Sequence, residues 1–312
     1  MNMSITEKEV LDFTQKTKHY KIAIHPQSDR MYHITIEKTA FEAFFEKIKN
    51  IEVQELEYIP YTRFIVSNAL QETLGEAFTK TVQSILQDRQ TGGFTIGLDE
   101  DITDTDQYVL FSTALTHLIG ECNFDAMSGK YYARFKVKHT DESDSYLRQA
   151  YRLFTFHTDG TFVDESTDWL LMMKMQERNA VGGESRLLHL DDWEELDKFY
   201  NHPFASKEIT YKAPASKNVN QDVKRKTFFH HNNEPCICFI DQFANPASIE
   251  EAKYLRDLSK SMEEDKHVVE LDLPVGHLVM VNNLFWLHGR AAFEKNEELD
   301  RELLRQRGRF QQ

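Results

Sequence analysis

The sequence of 312 residues predicts a mainly β protein with α-helices outside the strands. Helical periodicity dominates the first part of the chain, and from about residue 129 it gives way to about ten short apolar runs bounded by turn residues. Strands that follow a helical start predict an antiparallel sandwich or a jelly roll. We expect a single domain over residues 1–312, with an N-terminal α/β layer (1–125) and a strand core (126–312).

The N-terminal layer is predicted to contain helices and one pair of strands. The predicted helices span residues 6–18, 39–49, 66–89 and 106–120, and the predicted strands span residues 20–25 and 31–36. With 40% hydrophobic residues, including 22 Phe and 12 Tyr, the chain has enough apolar side chains for a sizeable core.

The core strands are predicted from short runs rich in apolar and β-branched residues. They span residues 131–138, 151–157, 168–175, 185–190, 208–213, 226–231, 236–241, 267–273, 277–283 and 303–310. Residues 232–235 (Asn-Asn-Glu-Pro) predict a hairpin turn. Two helices, near residues 191–199 and 248–265, are expected to interrupt the strands.

Charge and cysteine content restrict the possible partners and compartment. The net charge of −14 argues against nucleic acid or an anionic membrane surface as a partner. Three cysteines are too few for a disulfide framework, and an odd number would leave one of them unpaired. The first residues show no basic and apolar signal pattern, and no apolar run approaches the ~18 residues of a membrane span. We therefore expect a cytoplasmic protein.

A candidate metal site follows one of the predicted strands. In Phe-His-Thr-Asp-Gly-Thr, His157 and Asp159 lie two apart at a strand end, so both can point to the same side. His288, in Leu-His-Gly-Arg, is the candidate third ligand. Two imidazoles and one carboxylate leave coordination positions open, which suits Fe(II) oxygen chemistry. The apolar side chains expected to shield the metal from water are Phe154, Phe156, Phe285 and Trp286.

His-X-Asp on its own is a weak motif, because short polar triplets also occur by chance in loops. The distal His-Gly-Arg strengthens it, and so does a set of arginines near the end of the chain. Arg305, Arg307 and Arg309 alternate along LLRQRGRF and share one face of a strand. An inward-facing arginine requires a carboxylate partner. The alternative is a solvated edge strand whose arginines pair with surface acids, although the apolar ends of this run favour a pocket for at least one arginine.

These motifs together resemble the Fe(II)/2-oxoglutarate dioxygenases of the taurine-dioxygenase type, and more narrowly the carbon-starvation-induced glutarate 2-hydroxylases. The resemblance runs from about residue 105 to the end and is weaker before it. The matching stretches are HLIGECNFDAMSGKYYARF (117–135), SDSYLRQAYRLFTFHTDGTFVDESTDWLLMMKM (143–175), GGES (182–185), SRLLHLDDWE (185–194), PASKNVNQDV (214–223), IDQF (240–243), NNLFWLHGR (282–290) and RELLRQRGRF (301–310).

The resemblance implies a double-stranded β-helix (jelly roll) fold and Fe(II) held by His157, Asp159 and His288. It also implies that Arg307 pairs with the distal carboxylate of the cosubstrate 2-oxoglutarate, with Ser185 as a hydroxyl partner.

For the substrate carboxylate the candidate is Arg305, and Arg305 and Arg307 could exchange their roles. Tyr132, Arg134 and Tyr146 are further candidates for substrate contacts, with a core or surface role as the alternative for each.

The reaction implied by the resemblance is hydroxylation of glutarate at C2 to (S)-2-hydroxyglutarate, with consumption of O2 and 2-oxoglutarate and release of succinate and CO2. The product would connect lysine breakdown to central metabolism, and the family likeness implies a homotetramer. One alternative is a dioxygenase that acts on another small acid, a sulfonate or a betaine. Others are a jelly-roll binding protein whose His-Asp-His set is structural or holds zinc, and a regulatory or scaffold protein.

Overall fold

The computed structural model describes residues 11–97, 104–139, 149–219 and 221–311. Its α-helices are α1 (Lys38–Lys47), α2 (Val53–Tyr58), α3 (Pro60–Leu74), α4 (Glu76–Gln87), α5 (Thr105–Ile119), α6 (Leu196–Tyr200) and α7 (Ile249–Glu263). Short 3₁₀ helices cover Leu190–Asp192 and Ala215–Lys217. Of the helices in the described parts of the chain, none is both long and apolar enough to cross a bilayer.

The strands are numbered along the chain. They are β1 (Gln15–Lys16), β2 (Tyr20–His25), β3 (Ser28–Ile36), β4 (Gly93–Gly97), β5 (Gly120–Cys122), β6 (Ala133–Lys138), β7 (Phe154–His157), β8 (Trp169–Arg178), β9 (Ser185–His189), β10 (Glu208–Tyr211), β11 (Val223–Lys226), β12 (Phe228–His231), β13 (Glu234–Ile237), β14 (Ala244–Asn245), β15 (Val269–Leu271), β16 (His277–Asn282), β17 (Trp286–Arg290) and β18 (Asp300–Phe310).

Two sheets form the centre of the fold. The larger sheet has the order β1-β2-β3-β4-β16-β8-β18-β5, with β6 also paired to β18, and the smaller has the order β15-β9-β17-β7. All these pairings are antiparallel except that of β3 with β4. Residues of both sheets line one cavity between them. The predicted jelly roll with flanking helices and an N-terminal α/β layer is confirmed.

Strand β8 shows why the large sheet has apolar residues on both faces. Trp169, Leu171 and Met173 pack into the cluster that includes the N-terminal helices. Leu170 and Met172 alternate with them and pack on the other side, against the cluster that includes the small sheet. A strand buried on both faces is apolar throughout, and the run WLLMM fits that description.

The N-terminal layer departs from the prediction at two places. The predicted helix over residues 66–89 is two helices, because Gly75, with φ +92°, separates α3 from α4. The predicted helix over residues 6–18 is wrong within the described part, where Gln15 and Lys16 form edge strand β1 and pair with β2. Tertiary pairing overrides local helical periodicity here. Residues 1–10 lie outside the described part of the chain.

The hairpin predicted at residues 232–235 is confirmed. Asn232 and Asn233, with φ +51° and +64°, connect β12 to β13. A two-residue turn with positive φ at both positions matches the right-handed twist of the paired strands, and Asn tolerates that conformation.

The pairing of β7 with β17 brings the two candidate histidine ligands together. His288 lies directly opposite His157 in the register, and the register shifts between His288 and Arg290. Gly289 occupies that shift, where a Cβ atom would lie 2.6 Å from the carbonyl oxygen of Phe154. Only a residue without a side chain allows this close backbone approach.

We expect Gly289→Ala to destabilise the protein by about 1–3 kcal/mol, because β17 must move away from the backbone of β7. Urea unfolding would measure this. Gly129→Ala is the control, since a Cβ atom there meets nothing within 4 Å and costs only the strain of a left-handed backbone, ~1 kcal/mol. Equal losses in the two variants would contradict the close-approach explanation.

Candidate metal centre

His157, Asp159 and His288 converge at the edge of the cavity between the two sheets. Asp159 Oδ1 lies 3.9 Å from His157 Nε2 and 3.8 Å from His288 Nε2. One potential ligand atom from each residue lies within 4.8 Å of the other two, and no other such group occurs among the described residues. All three side chains are almost fully buried. The structure therefore brings together the three residues that the sequence singled out.

The orientation of His157 is fixed by its other ring nitrogen. Nδ1 lies 2.8 Å from the carbonyl oxygen of Thr155. A carbonyl only accepts, so Nδ1 carries the proton and Nε2 is left with a lone pair that faces His288 and Asp159. Such an outer hydrogen bond is typical of histidines that bind metals.

The backbone of Asp159 is held by Asn283, which lies between β16 and β17. The amide group of Asp159 donates to Asn283 Oδ1 (2.8 Å), and Asn283 Nδ2 donates back to the carbonyl oxygen of Asp159 (3.0 Å). The chain then turns at Gly160, with φ +86°, where a Cβ atom would lie 2.5 Å from Thr167 Oγ1. These contacts connect the Asp159 loop to the loop that precedes His288.

The electrostatics keep all three groups in the protonation state that a metal requires. Burial raises the pKa of Asp159, but neighbouring positive charge, that of Arg305 above all, lowers it well below its usual range, so the carboxylate is ionised. Burial also lowers the pKa of His157, and it lowers that of His288 strongly, with the neighbouring His157 adding to the effect. Neutral imidazoles and an ionised carboxylate are the forms that bind metal.

These residues fit a divalent metal on two further observations. The Nε2 atoms of both histidines lie within 4 Å of Asp159 Oδ1. The burial of this group also suits a small cation, because the three side chains are almost fully buried and lie at the edge of a cavity. Two imidazole nitrogens and one carboxylate oxygen, with the opposite side open to the cavity, match the facial donor set of Fe(II) oxygenases.

The arginines of β18 line the site to different extents. Arg305 lines the cavity, with Nη2 2.7 Å from Asp125 Oδ2 and Nη1 2.9 Å from Asp159 Oδ2. Arg307 is buried further along the same face, outside the residues that line the cavity, and forms no ion pair within 4 Å among the described residues. Arg309 is half exposed and lies near Glu121.

Arg301 is a cavity residue that the sequence did not single out. It is 1% exposed and lines the cavity together with Ser185. Its Nη1 donates to the carbonyl oxygen of Gly183 and its Nε lies 3.4 Å from Glu177 Oε2. Arg301 lies four residues before Arg305, so it continues the alternation of Arg305 and Arg307 toward the start of β18. That pattern would have identified Arg301 from the sequence.

Two of the candidate substrate residues lie away from the cavity. Tyr132 donates to Glu57 (2.6 Å), and Arg134 forms two bonds with Glu302. Phe135 and Val137 of β6 line the cavity, so Arg134 faces the other side because side chains alternate along a strand. Tyr146 lies outside the described residues.

Only part of the expected apolar lining is present. Phe154 lines the cavity and its ring lies tilted against that of His157, with 4.3 Å between the ring centres. Phe156, Phe285 and Trp286 do not line it and pack instead into a core cluster that contains residues of both sheets. The other apolar residues of the lining come from the large sheet and β6, and they are Phe135, Val137, Met172 and Leu303.

Solved structures of two iron oxygenases share this fold. Asparagine oxygenase in complex with Fe(II), 3-hydroxyasparagine and succinate superposes with a TM-score of 0.72 at 15% identity, over 88% of this chain and 92% of that one. The non-haem iron oxygenase OrfP with Fe, succinate and dihydroxyarginine superposes with a TM-score of 0.70 at 15% identity, over 89% and 94%. At such identities the similarity concerns the fold.

Sequence comparison gives a nearer relationship. The chain is 42% identical over 300 residues to a protein of Citrobacter koseri named glutarate 2-hydroxylase. The aligned region covers 95% of this chain and 92% of the relative. A family model described as CsiD matches residues 20–310. The match extends over nearly the whole chain, and the protein therefore belongs to the CsiD family.

Proposed function

We propose that this protein is an Fe(II)- and 2-oxoglutarate-dependent dioxygenase that hydroxylates glutarate at C2. The observation that carries the proposal is the buried His-Asp-His group at the edge of a cavity lined with arginines. It occurs in a chain 42% identical to a protein named glutarate 2-hydroxylase. The balanced reaction converts glutarate, 2-oxoglutarate and O2 into 2-hydroxyglutarate, succinate and CO2, with the (S) product expected.

In this proposal His157, Asp159 and His288 hold the iron. Bound iron supplies the site at which 2-oxoglutarate and O2 react. The protein contributes fixed ligands, orientation and exclusion of water. Thr155 and Asn283 orient two of the ligands, and the apolar lining keeps bulk water from the reacting carbon.

Two carboxylate anchors lie on either side of Arg305 along β18. We assign the distal carboxylate of 2-oxoglutarate to Arg301 and Ser185, because both line the cavity beside His288. We assign a carboxylate of the substrate to Arg307, which follows Arg305 on the same face of β18 just beyond the cavity lining, is buried near Asp159 and forms no ion pair of its own among the described residues. This reverses the sequence-based preference for Arg307 as the cosubstrate anchor. Arg305 already contacts two carboxylates.

The charge of the cavity favours an anionic substrate over a betaine. Arg290, Arg301 and Arg305 all line it. A quaternary ammonium group requires an aromatic cage, but the ring of Phe135 is already covered by the Arg305 guanidinium, 4.7 Å from its centre. A dicarboxylate fits this lining better.

The family likeness suggests the setting as well. We propose a cytoplasmic homotetramer of one-domain subunits that acts in lysine breakdown and requires no nucleic acid or membrane. Strands from β1 to β18 share one sheet, which supports a single domain. Tyr58, Tyr61 and Phe64 of α2 and α3 are more than half exposed, which suits a contact with another subunit.

Substrate identity is tested by succinate formation in the Fe(II)-loaded protein. We expect glutarate to accelerate succinate release and to yield an equal amount of 2-hydroxyglutarate, measured by mass spectrometry. Taurine and a betaine are the comparison substrates. If taurine or a betaine is hydroxylated and glutarate is not, the assignment of glutarate as the substrate is wrong, although the protein is still a dioxygenase. If 2-oxoglutarate is not decarboxylated under any condition, a binding protein is favoured instead.

The ligand assignment is tested with His157→Ala and Asp159→Ala. We expect each variant to lose turnover and to bind Mn(II) at least ~10-fold more weakly in calorimetry, because one of three ligands is missing. His231→Ala, which removes an exposed histidine of the β12–β13 hairpin, should behave as wild type. Wild-type metal affinity in either ligand variant would show that the triad is misassigned.

The KM values for 2-oxoglutarate and glutarate distinguish the two proposed carboxylate anchors, Arg301 and Arg307. We expect Arg301→Met to raise the KM for 2-oxoglutarate at least ~10-fold and Arg307→Met to raise the KM for glutarate similarly, since each strands a buried carboxylate at a cost of ~2–5 kcal/mol. The other KM should stay within about threefold in each case. An Arg307→Met variant with a raised 2-oxoglutarate KM alone would restore the original assignment.

A further inference from the structure

Asp125 is a buried carboxylate outside the metal triad, on the loop between β5 and β6. A tight turn holds it. Its Oδ1 accepts a hydrogen bond from the amide of Ser128 (2.9 Å), and its backbone pairs with Lys130 and Gly129. One carboxylate oxygen is therefore occupied by the turn, while Oδ2 points away from the turn to Arg305.

The guanidinium of Arg305 lies between Asp125 and Asp159, and its contacts with the two carboxylates differ in geometry. Nη2 donates a well-aligned hydrogen bond to Asp125 Oδ2 at 2.7 Å. Nη1 lies 2.9 Å from Asp159 Oδ2, close enough for an ion pair. The two atoms are not aligned for a hydrogen bond, and Asp159 Oδ2 has no hydrogen-bond partner among the described residues. Asp125 therefore determines the orientation of the guanidinium.

The two oxygens of Asp159 consequently have different surroundings. Oδ1 faces the Nε2 atoms of both histidines, and Oδ2 faces Arg305. A guanidinium that is free to rotate prefers to bind both oxygens of one carboxylate. If Arg305 did so with Asp159, it would withdraw Oδ1 from the histidines.

We propose that Asp125 is a positioning residue that holds Arg305 in place, so that Asp159 presents a single oxygen to the metal. The proposal rests on the proposed function in that it takes the triad as the iron site. It assigns to Arg305 an outer role behind a ligand, which differs from direct binding of the substrate carboxylate. Partners of this kind behind a ligating carboxylate affect metal affinity strongly.

The charges around Arg305 agree with this role. Burial lowers the pKa of Arg305, but Asp159 and Asp125 raise it more, so the guanidinium remains charged. Burial raises the pKa of Asp125, and Arg305 and Arg307 then lower it below its usual value. The row of carboxylate, guanidinium and carboxylate is therefore ionised throughout.

The test is calorimetric titration of the metal-free protein with Mn(II), in the absence of 2-oxoglutarate and glutarate. Asp125→Asn is the informative variant, because the amide oxygen can still accept from Ser128 while the amide nitrogen repels Arg305. We expect a Kd for Mn(II) about 10-fold higher than in wild type. Glu302→Gln is the matched control: it removes a carboxylate of β18, the strand of Arg305, that pairs with Arg134 of β6, and its Kd should stay within about twofold.

A double-mutant cycle with Arg305→Gln separates positioning from a general charge effect. If Asp125 acts through Arg305, then Asp125→Asn should change the Kd less than about twofold in the Arg305→Gln background. Equal effects in the two backgrounds would overturn the proposal, as would an unchanged Kd in Asp125→Asn alone.

Folding is checked by thermal unfolding of each variant, and Asp125→Glu provides a second route. It retains the charge and should recover most of the wild-type affinity if the contact with Arg305 matters, whereas a Kd as weak as that of Asp125→Asn would count against the proposal. The titration involves neither cosubstrate nor substrate. A protein that binds Mn(II) as expected but leaves glutarate unchanged would therefore refute the proposed function alone.

Discussion

The buried carboxylate of Asp159 is the constraint on which the site depends. An isolated negative charge in a protein interior is very costly, and it persists only beside cations and hydrogen-bond donors. Here Arg305 and Arg307 provide permanent positive charge, and two histidines face the carboxylate. The neutral state of those histidines leaves room for the charge of a divalent metal. The arginines on β18, the conformation of the Asp159 loop and the composition of the cavity all follow from this requirement.

The jelly roll meets the requirement by placing the charges on opposite sheets. The small sheet carries His157 and His288 as direct partners on β7 and β17. The large sheet provides β18, whose alternate side chains face the cavity or lie further along the same face. Apolar clusters pack against both sheets, so His157, His288 and the arginines of β18 sit on well-supported strands. Asp159 lies on the loop after β7, where hydrogen bonds with Asn283 hold its backbone.

The sequence predicted the strand-rich core and the triad because both depend on local patterns. Apolar runs bounded by turns indicate strands, and two ligands two apart at a strand end, with a distant third, indicate a metal site. The roles of the arginines depend on depth along β18, which alternation alone does not encode. Asp125 and Asn283 act through backbone and guanidinium contacts between segments far apart in sequence. Edge strand β1 was mistaken for helix because its pairing with β2 is likewise absent from local periodicity.

An anaerobic crystal structure with Fe(II), 2-oxoglutarate and glutarate would show whether Asp159 and the two histidines hold iron beside both acids. We predict iron on His157, Asp159 and His288, and 2-oxoglutarate on the iron with its distal carboxylate at Arg301 and Ser185. We also predict glutarate with C2 facing the iron and a carboxylate at Arg307. Iron bound elsewhere, or a cavity that holds 2-oxoglutarate but leaves no room for glutarate next to the metal, would contradict these predictions.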